Sequence, residues 1–162
     1  MADAPPRVGW GFDAHRFGPG GPVVLCGVEV DLDRGIEATS DGDVAAHAVM
    51  DALFGAAAIG DLGAHFADDD PAMQDADSMA LLGRAVSLLA ERGFRPSSLD
   101  VTIISESVRI APHRDAMRAS LARVANLDIG AVSVKATSTD SMGMIGRDEG
   151  IAAAAVAVVV SP

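Results

Sequence analysis

The residues best suited to chemistry in this sequence are an aspartate and two histidines in its N-terminal third. Asp13 and His15 stand two apart in the run GFDAHRF, where a plain core strand would carry alternating hydrophobic residues. Because side chains two apart on a strand point to the same side, both face away from Trp10 and Phe12. His47 follows in the alanine-rich run VAAHAVMDALFG. One carboxylate and two imidazoles suit Zn²⁺ with a fourth position left open for substrate.

The neighbours of His47 extend this hypothesis. Asp43, His47 and Asp51 are spaced by four, so on a helix they share one face. We expect Asp43 or Asp51 to orient the His47 imidazole without binding the metal itself. Spacing alone leaves an alternative open, in which Asp13 and His15 solvate an exposed sheet face and His47 forms a surface ion pair with its acidic neighbours.

Length, composition and charge bound the possible partners. The chain has 162 residues, 49% of them hydrophobic, which predicts a single domain over residues 1–162 with its own core. With 23 acidic and 12 basic residues, its net charge is −11, so we expect no nucleic-acid partner. An anionic substrate would therefore need metal ions or backbone N–H groups to receive it.

The compartment is indicated by one cysteine and two terminal segments. Cys26 lies in the apolar run VVLCGV, so the sequence predicts a buried thiol, excludes an intrachain disulfide and allows a reducing compartment. MADAPPR is too short and polar for a signal peptide. GIAAAAVAVVV falls short of the roughly 20 residues that cross a bilayer. We therefore expect a cytoplasmic protein without a membrane partner.

The elements that must position these residues begin with a strand from Val8, followed after the turn GPGG by a second run from Pro22 to Val30. The two runs predict a hairpin. Ser40 and Asp43 form a capping-box pattern at the start of the helix that carries His47. The segment GDLGAHFADDDPAMQDAD has the composition of a long surface loop, and loops of that length are usually functional.

The second half of the chain alternates helices and strands. The predicted elements are a helix from about Ser78 to Arg92 ended by Gly93, a strand over Leu99–Ser105, a helix with Pro112 near its start, a strand in AVSVKATS, a loop in TDSMGMIGRDEG and a last strand over Ile151–Val160. The order is β-β-α-α-β-α-β-β. It predicts an α/β (α+β sandwich) fold, a mixed β-sheet with helices packed on one face.

Five motifs occur in an order that resembles the 2-C-methyl-D-erythritol 2,4-cyclodiphosphate synthase family: GFDAHRF, SDGDVAAHAVMDAL, GDLGAHFADDDP, VKATSTD and GRDEGIA. The resemblance covers Arg7 to Val160. It implies a phosphorus–oxygen lyase of the non-mevalonate isoprenoid pathway, which converts 4-diphosphocytidyl-2-C-methyl-D-erythritol 2-phosphate to the cyclic diphosphate and CMP. A zinc-dependent hydrolase and a non-catalytic metal-stabilised trimer are the alternatives, because both could use the same three ligands.

The resemblance also implies roles for particular residues. Asp13, His15 and His47 would bind Zn²⁺ or another divalent transition metal beside the substrate, and Mg²⁺ or Mn²⁺ would bridge the diphosphate. Asp61 and Gly63 would hold the erythritol hydroxyls. None of the histidines is assigned as a base, because the attacking phosphate is already ionised and catalysis rests on orientation and charge neutralisation.

The nucleotide end of the substrate is assigned to two segments. The loop from Ser105 to Ala111 would cup cytosine through its backbone. The run of Thr137, Ser138, Thr139 and Asp140 would receive the diphosphate. Asp140 replaces the family's glutamate and is one methylene shorter, so we expect it to reach Mg²⁺ through water.

Two further substitutions distinguish this chain within the resemblance. Thr39 stands where the family has a histidine before SDGD, and Ser138 stands where threonine is usual. Both would contact the reacting phosphates as catalytic groups, with Ser40 beside Thr39 in the substrate site. Thr39 has a hydroxyl and an N–H to offer in place of the imidazole, so we expect a working site with one contact altered. Ser138 keeps the hydroxyl of threonine.

The resemblance implies a homotrimer with active sites between subunits. The metal and erythritol side would come from one chain, and the cytidine and diphosphate segments from its neighbour. Phe12, Met144 and Arg147 match positions that line a central cavity, which could accept an isoprenoid diphosphate. Plain packing of the trimer core, with Arg147 in ion pairs, is the alternative.

Overall fold

A computed structural model describes residues 5–67 and 69–161, so the first four residues of MADAPPR, position 68 of the predicted loop and Pro162 lie outside the described residues. The strands are β1 (Arg7–Gly18), β2 (Val23–Leu25), β3 (Val28–Asp31), β4 (Gly35–Ile36), β5 (Arg95–Ile104), β6 (Val132–Thr137) and β7 (Gly150–Val160). The helices are α1 (Val44–Ala57), α2 (Leu62–His65), α3 (Ser78–Glu91), α4 (Arg114–Ala125) and α5 (Gly143–Gly146).

The main sheet has the strand order β4-β1-β7-β5-β6. β5 and β6 run parallel and the other pairs antiparallel, which confirms the predicted mixed sheet. α1 packs on β1 and β7, α3 packs on α1, and α4 packs on α3 and β6. The buried hydrophobic residues between these helices and the sheet form the core cluster of the described residues. The predicted α+β sandwich, with helices on one face, is therefore confirmed.

Two glycines of β1 bring α1 unusually close to the sheet. Gly9 and Gly11 face the helix, and a side chain at either position would collide with the backbone of Ala48 or Ala52. The opposite face of β1 carries Trp10, which is 65% exposed. The alternation that predicts this strand therefore places the glycine side, and not the aromatic side, against the helix that carries His47.

The predicted pairing of β1 with the run from Pro22 to Val30 is wrong. β1 pairs with β7 from Arg7 to Arg16 and with β4 at its end. The Pro22–Val30 run instead folds on itself as the β2–β3 hairpin. The cause is a tight turn inside the run, where Cys26 and Gly27 both have left-handed φ values, 51° and 73°. Cys26 is buried, as predicted.

The start of α1 also differs from its prediction. Asp43, rather than Ser40, is the N-cap, and its side chain accepts a hydrogen bond from the Ala46 N–H. The predicted surface loop contains the helix α2 and a short 3-10 turn over Pro71–Met73, so it is more ordered than expected. Its aspartates act as caps at both places, a role that turn density alone does not reveal. Across the described residues, the helices are all too short or too polar to span a membrane.

Candidate active site

The predicted convergence of Asp13, His15 and His47 is confirmed. β1 supplies the first two and the opening turn of α1 supplies the third. His47 Nδ1 lies 2.9 Å from Asp13 Oδ2, and His15 Nδ1 lies 3.3 Å from the same oxygen. One potential ligand atom from each residue falls within 4.8 Å of the others. A carboxylate oxygen and two imidazole nitrogens at this separation are a donor set that fits a divalent transition metal.

The environment of Asp13 keeps it ready to act as an anionic ligand. Burial raises the pKa of the Asp13 carboxyl, but the hydrogen bonds and positive charge of His15 and His47 outweigh burial and hold this pKa well below its usual range. The backbone N–H of Ala14 also donates to Asp13 Oδ1 over 2.9 Å. Asp13 is therefore ionised at neutral pH.

A cavity of about 290 Å³ opens beside these three residues. Thr39 and Ser40 share its polar wall with Asp13, His15 and His47. The apolar part of its lining comes from Leu62, Phe66, Met73 and Leu81. The cavity therefore joins a polar wall, which carries the three potential metal ligands, to an apolar one.

Asp61 and Gly63 flank Leu62 in sequence, and Leu62 lines this cavity. Asp61 is exposed and caps α2, since its Oδ1 accepts a hydrogen bond from the Ala64 N–H over 2.9 Å. Asp51 holds the same short helix to α1 by accepting from the Leu62 N–H over 2.7 Å. The contact with Asp51 thus holds α2, with Asp61 as its cap, against α1.

The predicted role of Asp43 or Asp51 behind His47 is wrong. Asp43 caps α1, and Asp51 binds the backbone of α2. In the described part of the chain, His47 Nε2 instead meets the hydroxyl oxygens of Ser78 at 2.9 Å and Ser40 at 3.3 Å. Ser78 was missed because it opens α3 directly after its N-cap, Asp77, so its sequence context indicates only a helix start.

The two segments assigned to the nucleotide lie side by side. β5 and β6 are parallel neighbours that end together, with Ile104 opposite Thr137. The Ser105 N–H donates to the Thr137 carbonyl oxygen over 3.1 Å. Ser105 Oγ accepts from the Val108 N–H at 3.1 Å, which folds the 105–111 loop into a turn. These contacts make one continuous surface of the two segments.

The run after β6 is a compact turn of hydroxyl and backbone groups. Thr139 Oγ1 donates to the Met142 carbonyl oxygen over 2.6 Å, and Ser138 Oγ accepts from the Asp140 N–H over 3.3 Å. Asp140 and Ser141 both have left-handed φ values, 51° and 64°. Consecutive residues in such conformations present backbone N–H groups to an anion.

Register relates this surface to the metal group. Ala152 of β7 lies opposite both Ala14 of β1 and Ile104 of β5, so His15 and the 105–111 loop emerge at the same edge of the sheet. Neighbouring strands are about 4.8 Å apart, which puts β5 about 10 Å and β6 about 14 Å from β1. Within one chain, the Asp13, His15 and His47 group and the two nucleotide segments therefore lie at the same end of the sheet, but two or three strands apart.

Arg34 is a second residue that the sequence does not reveal. Its guanidinium stacks on Phe17, 4.1 Å from the ring centroid, and contacts Asp148 Oδ2 at 2.8 Å and Ser107 Oγ at 2.7 Å. Ser107 in turn donates to Asp148 Oδ1 over 2.6 Å. Arg34 therefore ties the 105–111 loop to the turn before β7. No pattern in the sequence around Arg34 predicts contacts with residues more than 70 positions away.

The three residues assigned to a central cavity lie on exposed surface. Phe12 is 43% and Met144 50% exposed. The Arg147 Nε donates to Glu149 Oε1 over 2.6 Å. In the single chain this arginine is therefore engaged in an ion pair, as the packing alternative expects.

We expect the contribution of Asp43 to the stability of the protein to fall as pH rises. Burial raises its pKa to about 6 despite hydrogen bonds from the Ala46 and Gly27 N–H groups. The folded protein then holds this proton more tightly than the unfolded chain, so the group's contribution to the free energy of unfolding falls as pH rises from about 4 to about 6. Relative to Asp43→Asn, the wild type should lose on the order of 2 kcal/mol between about pH 4 and about pH 7.

Urea unfolding of both proteins at the two pH values measures this difference. Carboxylates distant from Asp43 titrate alike in the two proteins and cancel. A difference between wild type and Asp43→Asn that is constant, or that grows with pH, would contradict the assignment.

Comparison with known proteins agrees with this geometry. Residues 6–160 match the YgbB family. The chain is 51% identical over 152 residues to the 2-C-methyl-D-erythritol 2,4-cyclodiphosphate synthase of Symbiobacterium thermophilum, covering 94% of this chain and 97% of that one.

Solved structures agree as well. The bifunctional IspDF of Campylobacter jejuni superposes with a TM-score of 0.94 at 37% identity, over 98% of this chain and 43% of that one. A 2C-methyl-D-erythritol-2,4-cyclodiphosphate synthase in its CDP-bound form superposes with a TM-score of 0.86 at 31% identity, over 94% and 99% of the two chains. The family match over residues 6–160 and the identity to these synthases show that the chain belongs to the YgbB family, that of the 2-C-methyl-D-erythritol 2,4-cyclodiphosphate synthases.

Proposed function

We propose that this chain converts 4-diphosphocytidyl-2-C-methyl-D-erythritol 2-phosphate to 2-C-methyl-D-erythritol 2,4-cyclodiphosphate and CMP, as a phosphorus–oxygen lyase. The observation that carries the proposal is the Asp13, His15 and His47 group, set beside a cavity at the sheet edge where the 105–111 loop also emerges. The names of its relatives, and the CDP in one related structure, support the same substrate class.

The reaction joins two phosphates of one substrate. An oxygen of the 2-phosphate forms a bond to the β-phosphorus, and the bond from that phosphorus to the α-phosphate oxygen breaks to release CMP. No proton has to leave the nucleophile, because a phosphate monoester is ionised at neutral pH. The task of the protein is to hold two anions together and in line.

A protein with a net charge of −11 cannot do this with its own cations alone. We assign Zn²⁺, or another divalent transition metal, to Asp13, His15 and His47, and Mg²⁺ or Mn²⁺ to the diphosphate, with Asp140 as its protein contact through water. When bound, such ions offset the negative charge of the reacting phosphates. The protein's own residues supply orientation.

On the metal side, Thr39 and Ser40 would donate hydroxyl hydrogen bonds to the phosphate, since both line the cavity with the three ligands. Asp61, whose Oδ1 is engaged by Ala64, would accept hydrogen bonds from the erythritol hydroxyls, and the exposed Gly63 would let the polyol approach the backbone.

On the nucleotide side, the loop from Ser105 to Ala111 would bind cytosine through backbone groups. Thr137, Ser138 and Thr139 would bind the diphosphate, with Ser138 closest to the reacting phosphorus. Support comes from the shared surface that these segments form at the ends of β5 and β6.

We further propose a homotrimer in which this surface completes the metal half of a neighbouring chain. Val8, Trp10 and Phe12 leave an apolar face of β1 exposed, with the rings of Trp10 and Phe12 stacked 6.1 Å apart. Exposed apolar patches of this kind mark protein interfaces. The lateral separation of the two halves within one chain favours the same arrangement.

A trimer of this kind would enclose Phe12, Met144 and Arg147 around its axis. Such an apolar channel with an arginine ring would bind an isoprenoid diphosphate through its tail and its anionic head. Isothermal titration calorimetry with geranyl or farnesyl diphosphate is expected to show saturable heat that is lost in Arg147→Ala. Silence at high ligand concentration would favour plain core packing, with Arg147 kept in its pair with Glu149.

The function itself is tested by supplying purified protein with the diphosphocytidyl substrate, Zn²⁺ and Mg²⁺. We expect release of CMP with the cyclic diphosphate and without inorganic phosphate. Inorganic phosphate would instead indicate the hydrolase alternative, and no product from the folded, metal-loaded protein would indicate the structural one.

Thr39→His is expected to keep or raise kcat, by up to about tenfold, if histidine adds a charge-assisted hydrogen bond to the reacting phosphate. Steady-state kinetics of CMP release measures the effect, and Thr39→Ala is the matched variant that should lower kcat by removing the hydroxyl. A severe loss in Thr39→His would mean that the pocket is built around threonine.

A further inference from the structure

Behind the metal-binding group lies a buried relay with no part in the proposed chemistry. His47 turns Nδ1 toward Asp13 and Nε2 toward Ser78, whose Oγ lies 2.9 Å away. Ser78 is completely buried. Its hydroxyl makes a very short contact to Asp41 Oδ1, and its backbone N–H donates to Asp41 Oδ2 over 3.0 Å. The chain of contacts runs from Asp41 through Ser78 to the imidazole.

The direction of each hydrogen bond follows from the number of protons available. A serine hydroxyl has one proton, and a carboxylate only accepts. Asp41 also receives the backbone N–H of Asp43 on Oδ1 at 3.3 Å, so both of its oxygens act as acceptors. The Ser78 proton therefore goes to Asp41, and the proton between Ser78 and His47 must belong to His47 Nε2.

The contacts of Ser40 are consistent with a proton on His47 Nε2. Its Oγ accepts a hydrogen bond from the Gly42 N–H over 3.2 Å. It also lies 3.3 Å from His47 Nε2, where it can accept a second, weaker hydrogen bond from the Nε2–H that points to Ser78. With its Nε2 proton held toward Ser78, His47 has Nδ1 as the nitrogen available to a metal. Nδ1 faces Asp13 Oδ2 at 2.9 Å, and a cation that binds Nδ1 displaces the proton that Nδ1 donates to this carboxylate, because only an unprotonated nitrogen binds a metal.

We propose that Ser78 and Asp41 are positioning residues, which fix the tautomer and ring orientation of His47 so that Nδ1 is presented to a divalent cation. The inference rests on the proposed function only in that it needs a cation at Asp13, His15 and His47. Hydrogen bonds of this kind also make the coordinating nitrogen more basic, and removing such a partner typically weakens metal binding about 10–100-fold.

The first test measures the dissociation constant of Zn²⁺ alone by chelator competition at constant pH. Ser78→Ala is expected to raise it about 10–100-fold, Ser78→Thr to restore it because the hydroxyl is kept, and Asp41→Asn to raise it because an amide can donate to Ser78 and reverse the relay. Ser87→Ala is the matched control. Ser87 lies on the same helix, and its hydroxyl donates only locally, to the Gly83 carbonyl oxygen at 3.1 Å.

The second test needs no variant and so does not depend on how the variants fold. Nitrogen-15 correlation spectra of the zinc-loaded wild type are expected to show the His47 proton on Nε2 and coordination through Nδ1. A proton on Nδ1 would overturn the proposal, as would a wild-type zinc affinity in folded Ser78→Ala.

Failure of this inference can be told from failure of the proposed function. If the wild type binds zinc and His47→Ala does not, but Ser78→Ala binds as the wild type does, only the relay is wrong. If the wild type binds no zinc, or His47→Ala binds it equally well, the metal site itself is wrong and the relay falls with it.

Discussion

Replacing His47 by alanine is expected to abolish zinc binding and lower kcat by at least about a thousandfold while the protein stays folded. The three ligand atoms lie within 4.8 Å, so loss of one imidazole leaves too few donors for tight coordination. A metal ion contributes several kcal/mol of charge stabilisation in phosphoryl transfer, which corresponds to this factor. Asp13→Asn and His15→Ala should behave alike.

Zinc content by elemental analysis, single-turnover CMP release and circular dichroism together check this result. His65→Ala is the control for zinc content, because His65 Nε2 donates to the Ile59 carbonyl oxygen and its ring packs at a tilt against that of Phe54. It should keep zinc at the wild-type stoichiometry. Full activity in metal-supplied His47→Ala would defeat the assignment of the metal half.

Mixed trimers of two inactive variants are expected to recover about a quarter of the wild-type activity. One variant, His47→Ala, lacks the metal half. The other, Ala111→Trp, fills the proposed cytosine pocket with a bulky ring. If each site takes its metal half from one chain and its nucleotide half from the next, random reassembly pairs two intact halves with a probability of one half times one half.

The physical basis is the separation of the two halves within a chain. They emerge at one sheet edge but two or three strands apart, because β7 and β5 stand between β1 and β6. The experiment unfolds the two variants, mixes them equally, refolds them and verifies mixed trimers by mass spectrometry. A site contained in one chain would recover nothing, since every chain carries a lethal defect. Activity at the level of the separate variants, with mixed trimers present, would reject the shared site.

The sequence by itself determined the parts of the site that depend on local periodicity. Alternation along β1 placed Asp13 and His15 on one side, and helical spacing placed His47 in the first turn of α1. The boundaries of α3 and β7 follow from continuous apolar patterns with clear ends, and both lie within about two residues of their prediction. In these elements, interactions between residues close in sequence decide the structure.

Only the tertiary structure decided which elements meet. The hairpin expected after β1 did not form, because a two-residue reversal at Cys26 and Gly27 closed the second run on itself and left β1 to pair with β7, more than a hundred residues away. Which face of β1 meets α1 was likewise decided by the close approach that Gly9 and Gly11 permit.

The partners of His47 show the same division. Helical spacing pointed to Asp43 and Asp51, its neighbours in sequence, but each of these is engaged by backbone N–H groups. Ser78 supplies the contact from another helix, 31 residues away. Periodicity determines the direction in which a side chain points from its own element, whereas the group it meets depends on how separate elements pack, which no local pattern records.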